Sequence, residues 1–225
     1  RIHNDNLLRI DRWELYLADA PEYMRTVASR PIINQLAEGE FPIRPAIETH
    51  FGWASELSVG PMQACYASEF DCAYEGAVRL VMEPGSLRGE WTIRVNDGAP
   101  LAAGDFVESS AHVRGSLEHD ITALLQLGVN RLEVTIEISR ADDGLVNPLY
   151  LAGSFGVFAG SRPEVPRIAK LPSEGPFEGY EENGLPFFSG TLEYRFAAAM
   201  HLPGGRAGTS CRLRPEFPVP FQDAA

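Results

Sequence analysis

Lysine is nearly missing from this 225-residue chain: Lys170 is the only one among 19 basic residues, the rest being arginine. That bias is compositional and carries no functional signal. Cysteine is scarce too. Cys65, Cys72 and Cys211 make an odd count, so at most one bridge can form. No His-x-His, His-Glu-x-x-His or Cys-x-x-Cys occurs, which argues against zinc. No apolar run approaches the roughly 18–20 residues that span a bilayer. No Asn-x-Ser/Thr sequon occurs either. The first segment, RIHNDNLLRIDRWELYLADA, reads as neither a signal nor a transit peptide. With Arg1 in first place, the expectation is a processed product or an excised piece of a longer protein.

Positive charge is the minority sign. With 31 acids against 19 bases the net charge is −12, which opposes nucleic-acid backbones and anionic membranes as partners. Hydrophobic residues make up 44% and charged residues 22%, the balance of an ordinary globular chain. Turn residues are plentiful. The 21 glycines and 17 prolines together exceed the ~12% of average usage, which predicts many short strands joined by turns.

Alternation bears this out. In RLEVTIEIS (131–139), Leu132, Val134, Ile136 and Ile138 face one way, and Arg131, Glu133, Thr135 and Glu137 the other. A period of two is a strand with one dry and one wet face. EWTIRVN repeats it with Trp91, Ile93 and Val95, GAVRLVME with Val78, Leu80 and Met82, RWELYL with Trp13, Leu15 and Leu17, and TLEYRF with Leu192, Tyr194 and Phe196. Turn chemistry separates these runs at 83–85, 96–98, 141–144 and 183–184. Helical candidates are few: 21–39, divided by Pro31, and one turn at 120–128, capped by Asp120 or Thr122 and closed by Gly128. The expected fold is all-β, an antiparallel β-sandwich of jelly-roll form with few short helices, over residues 64–200. An irregular, short-helix segment (1–63) packs on it, and a Pro/Gly-rich tail or linker (201–225) follows. Residues 160–186 form a long excursion between strands.

Two blocks are more specific. WTIRVNDGAPL (91–101), a small-residue stretch, and HDITALLQLGVNRLEVTIE (119–137) resemble the jelly-roll, galactose-binding-like domains that accompany bacterial glycoside hydrolases. The order there is a strand ending in Val-Asn-Gly, a loop, Asp-Ile-Thr, a Leu-rich turn, Gly-x-Asn and an alternating strand. Asp97, inserted before Gly98, departs from that pattern. NPLYLAGSFGVF (147–158) with NGLPFFSGTLEYRF (183–196) is similar to segments of α-L-rhamnosidase-type enzymes. Neither block carries the catalytic acids of those enzymes, which lie in a separate barrel. The resemblance implies a carbohydrate-binding or accessory module with two partners, a poly- or oligosaccharide and the catalytic domain of a glycosidase. It also implies an extracellular or periplasmic location.

The residues alone leave alternatives. Ser154 in Ala-Gly-Ser-Phe-Gly nearly matches Gly-x-Ser-x-Gly, but nothing helical follows it to make the elbow. Glu133 and Glu137 sit on a wet strand face and receive no catalytic role. A catalytic site is therefore not expected, and no cofactor is implied. Asp142 and Asp143 leave a structural calcium open. The expected sugar site lies on loops at one end of the sandwich. Trp53, in a Gly-flanked irregular segment, would offer a stacking ring, ahead of Phe177 and Tyr180. Asp105, Glu108, His112 and Arg114, in the long 99–119 loop, would supply donors and acceptors. The competing readings are a structural interdomain module without a ligand, and a free-standing enzyme with loop-borne carboxylates.

Overall fold

The computed structural model describes residues 5–38, 58–109, 112–160, 162, 164–173 and 183–186. All of them lie in one compact unit, Arg1–Leu192. Two sheets carry the fold. The smaller holds β1 (Asn6–Ile10), β12 (Leu149–Gly153), β5 (Val78–Met82), β9 (Ser116–Asp120) and β8 (Val107–Ser109), in that spatial order and all antiparallel. The larger runs β13 (Phe155–Ala159), β14 (Pro166–Lys170), β4 (Ser58–Ala73), β10 (Gly128–Arg140), β7 (Glu90–Val95). Its β4 also pairs with β2 (Arg12–Leu17), which in turn pairs with β3 (Ala20–Ala28). A two-stranded ribbon joins β6 (Leu87–Arg88) to β11 (Gly144–Leu145). The all-β sandwich expected from alternation is the fold observed.

The dry faces meet as the period of two requires. Leu132, Val134, Ile136 and Ile138 of β10 are buried, as are Trp13, Leu15 and Leu17 of β2 and Ile93 and Val95 of β7. They form one core with Leu8 and Ile10 of β1, Val78, Leu80 and Met82 of β5, and Leu149 and Leu151 of β12. Each such side chain contributes about 1.5–3 kcal/mol by leaving water. Cys65 and Cys72 are unbridged: their odd separation places them on opposite faces of β4, Cys72 in the core.

Three local readings are corrected. The helical candidate at 21–39 is half strand: residues 20–28 form β3, and only Ile32–Glu38 is helical, as α1. A partner strand was at hand, and pairing with β2 overrides a weak helical preference. Pro31 divides the two as expected, its carbonyl accepting from the Asn34 and Gln35 amides. Within 1–63, otherwise expected to be irregular or short-helical, the expected strand at RWELYL is β2, and residues 6–10 and 20–28 add two strands outside that expectation. Finally, β14 runs parallel to β4, so the larger sheet is not wholly antiparallel. The expected strand at 191–197 and the tail at 201–225 lie outside the described residues.

The first resembling block closes one end of the sandwich. Asn96 takes φ +51, a left-handed conformation that Asn tolerates. Gly98 is required differently: a Cβ there would sit 2.9 Å from the Val95 carbonyl. Asp120 accepts from the Thr122 amide at 2.9 Å and from its hydroxyl at 2.6 Å, starting the 3₁₀ turn Thr122–Leu124. Those bonds lower the Asp120 carboxyl pKa below the usual range. Thr122 Oγ1 accepts from the Val78 amide at 2.9 Å, tying the turn to β5. In the second block, buried Asn6 donates to the carbonyls of Phe155 and Gly184, each at 3.0 Å. That stitches the start of the 183–196 segment to β13.

Tyr66 is fully buried and donates to Gln35 Oε1 at 2.8 Å. Burial pushes its phenol far above the ordinary value near 10. The folded value exceeds the unfolded one, so this group's contribution is complete below pH ~10 and is lost as pH rises toward the folded value. Thermal melts should hold steady into mildly alkaline buffer and then fall. Tyr66→Phe should melt lower at neutral pH, by about 1 kcal/mol, yet lose less stability on further alkalisation. Parallel alkaline curves for the two proteins would refute the assignment.

Candidate functional site

Register places a set of polar side chains on the outward face of the smaller sheet. Arg9 lies opposite Tyr150, Tyr150 opposite Val81, Val81 opposite Glu118, and Glu118 opposite Val107. The five form one row across the sheet, with side chains away from the core. Val81, at the centre, is nonetheless completely buried.

A polar cluster stands on each side of Val81. On one side, Glu83 follows the end of β5. Its Oε1 accepts from His112 Nε2 at 2.8 Å and from the Tyr150 hydroxyl at 3.2 Å. The His112 ring lies against Tyr150, centroids 4.4 Å apart. Burial, then the Glu83 charge, pushes the Tyr150 phenol up. On the other side, Arg79 donates to both Glu118 oxygens, at 3.1 and 3.0 Å, and to Asp5. Ser109 donates to Glu118 as well. Ring faces, carboxylates, hydroxyls and a guanidinium therefore share one sheet face. Such a set can recognise hydroxyl groups and the apolar face of a ring.

The structure places the expected site residues unevenly. His112 joins the Glu83–Tyr150 cluster. Asp105 ends the 3₁₀ turn Ala103–Asp105, where its carboxylate accepts from the Ala102 amide at 2.7 Å. Its carbonyl accepts from His119 Nδ1 at 2.7 Å. Glu108 alternates with Val107 and Ser109, so it lies on the opposite face of β8 from the row. Arg114 is exposed in the turn before β9. Trp53 lies outside the described residues, as do Phe177 and Tyr180. Of these residues, His112 alone is seen in the cluster. Sequence reasoning passed over Glu83, Tyr150, Arg79 and Glu118. Nothing local marks them as a set, and only strand order brings them to one face.

Three other chemistries can be placed. Ser154 is an exposed bend between β12 and β13, so the near-elbow joins strand to strand. Asp143 accepts from the Ser139 and Arg140 amides at 2.9 and 2.8 Å, and Asp142 pairs with Arg88 and Arg140. Their oxygens serve the loop and its arginines, an environment that disfavours calcium. Among the described residues, no group of three or more His, Cys, Asp or Glu is placed to hold a metal, and no helix is long and apolar enough to cross a membrane.

No family model matches the chain, and no curated protein matches it. Solved structures do. A β-D-mannosidase from Dictyoglomus thermophilum aligns with 69% of this chain and 24% of its own, at 14% identity and TM-score 0.46. The exo-chitosanase of Amycolatopsis orientalis aligns over 68% and 21%, at 15% identity and TM-score 0.46. A β-glucuronidase from Ruminococcus gnavus aligns over 72% and 32%, at 12% identity and TM-score 0.42. The chain thus spans between about a fifth and a third of these glycoside hydrolases. At such identities the likeness bears on neither substrate nor activity.

Proposed function

We propose that the chain is a non-catalytic β-sandwich module that binds a poly- or oligosaccharide and accompanies the catalytic domain of a glycoside hydrolase, α-L-rhamnosidase-like in its surroundings. The observation that carries this reading is the Glu83–His112–Tyr150 cluster on the outward sheet face. A sugar presents hydroxyl edges and an apolar face. Carboxylate and guanidinium groups suit the first and a ring suits the second. His112 is the centre of the site, with Arg114 in the same turn and Trp53 as the further stacking ring; Glu108 faces the other side of β8 and the Asp105 carboxylate is held by the Ala102 amide, so neither joins it directly. The two sequence blocks support the accessory role.

A structural module without a ligand is favoured by one observation: Glu83, Glu118 and Asp105 are already engaged within the protein. Titration calorimetry separates the two. Oligosaccharides containing rhamnose, galactose or xylose should bind with Kd about millimolar to micromolar. His112→Ala and Trp53→Ala should each weaken binding by about tenfold, ~1.4 kcal/mol. Equal affinity in a variant removes that residue from the site, and no heat with any sugar leaves the structural module. The chain alone should turn over no aryl glycoside. Hydrolysis that survives repurification and disappears on changing one loop carboxylate would support the enzyme reading instead.

A further inference from the structure

The edge of the larger sheet is split, and a cleft occupies the split. One side of β4 pairs with β10 along nearly its whole length. On the other side β2 pairs with Ala64–Ala67, and β14 pairs with Asp71–Ala73. Among the described strands, none pairs with Ser68, Glu69 and Phe70 on that side. β2 parts from β4 at Trp13, which is buried in the core. The cleft left there measures about 190 Å³ and is lined by Arg12, Glu14, Ser68, Glu69, Arg162 and Glu164 among others. It belongs to the other sheet from the His112 cluster.

The lining points to a class of ligand. Arg162 pairs with Glu69 across the cleft. The Glu69 hydrogen bond and charge, then the charges of Glu164 and Glu14, hold the Arg162 proton more firmly than usual. Three carboxylates (Glu14, Glu69, Glu164) and two guanidiniums (Arg12, Arg162) thus line a small space. An anion there would face Glu14, Glu69 and Glu164, and a cation would face Arg12 and Arg162. A hydroxyl group satisfies both, donating to a carboxylate and accepting from a guanidinium. The volume lies below the ~300 Å³ at which drug-sized ligand pockets begin, which is room for one ring.

We propose that the split between β2 and β14 is a second binding site, one that takes a single neutral polyhydroxy ring such as a pyranose. It does not depend on the His112 cluster, and the test keeps the two apart. The full chain, labelled with ¹⁵N, is titrated with methyl β-D-galactopyranoside and followed by NMR. The amides of Thr26, Ser68 and Glu69 and the Trp13 indole should shift in a saturable way, with Kd about millimolar. Galacturonate and galactosamine, which add one charge to the same ring, should bind at least about tenfold more weakly. Arg162→Gln and, separately, Glu14→Gln should each remove the shifts at unchanged melting temperature. His112→Ala should leave them intact. Absence of shifts overturns the site. Preference for either charged sugar overturns the ligand class. Loss of the shifts in His112→Ala overturns the independence of the cleft.

Discussion

Val134→Asp should leave no cooperatively folded protein. Val134 sits in the middle of β10, opposite Tyr66 of β4 and Ile93 of β7, and is fully buried. No cation lies among its paired neighbours, so the new carboxylate would be an unpaired charge in the core. That costs several kcal/mol even if the group protonates, against a total stability of about 5–15 kcal/mol for a domain. Circular dichroism should show loss of the cooperative melt. Thr135→Asp, one residue along on the wet face, should change stability by no more than about 1 kcal/mol, since Thr135 is partly exposed. A soluble Val134→Asp protein with a sharp melt would mean that the faces of β10 are assigned the wrong way round.

That assignment was legible because β10 and β7 each have one wet face, which leaves a period of two in the residues themselves; β5 shows it only in part, since Val81 is buried on the outward face. The end of β2 was legible for the same reason. β3 was not: its described side chains are mostly exposed, so no dry stripe marks it. It is a strand because β2 lies beside it, a fact of tertiary pairing. The parallel β14 was hidden for a similar cause. Pro166–Lys170 is short and lies within a Pro/Gly-rich excursion, and its partner, β4, is nearly a hundred residues earlier in the chain.

The candidate site shows the same division more sharply. His112 could be named, together with Asp105, Glu108 and Arg114, as a donor or acceptor in a long loop of small residues. Its partners could not. Glu83 reads locally as part of a Glu-Pro-Gly turn, and Tyr150 as one more apolar residue in a strand. They meet His112 only because β12 pairs with β5, which brings residues 67 positions apart within hydrogen-bond reach. Asp105 was legible as polar but not as occupied. Its carboxylate accepts from an amide three residues back, a use that the spacing permits and does not require.

Asn130→Leu should be nearly as damaging as the core charge, for the opposite chemical reason. Asn130 has no solvent exposure and every polar atom is used. Its amide donates to the carbonyls of Gln126 at 2.7 Å and Gly128 at 2.9 Å. Its oxygen accepts from the Gln126 amide at 2.9 Å and from Asn96 Nδ2 at 2.8 Å. Asn96 in turn accepts from the Arg131 amide at 2.9 Å and donates to the Leu124 carbonyl at 2.8 Å. The two asparagines thus lock the 96–98 turn, the 3₁₀ turn and the start of β10 together, which gives the asparagines of the first sequence block a physical purpose. Leucine keeps the volume but removes all four hydrogen bonds of the Asn130 side chain, leaving the part-buried Gln126 and Gly128 backbone groups without this partner. With four hydrogen bonds lost at about 0.5–1.5 kcal/mol each, the loss should reach ~2–6 kcal/mol by denaturant melting. Asn130→Asp, which loses both donors and sets a carboxylate oxygen against the carbonyls of Gln126 and Gly128, should be at least as damaging at neutral pH. A double-mutant cycle with Asn96→Gly, which retains the left-handed backbone, should show coupling above ~0.5 kcal/mol. Strict additivity, or a loss under about 1 kcal/mol in Asn130→Leu, would show that the loops are held by their apolar contacts and that the asparagine pair is incidental.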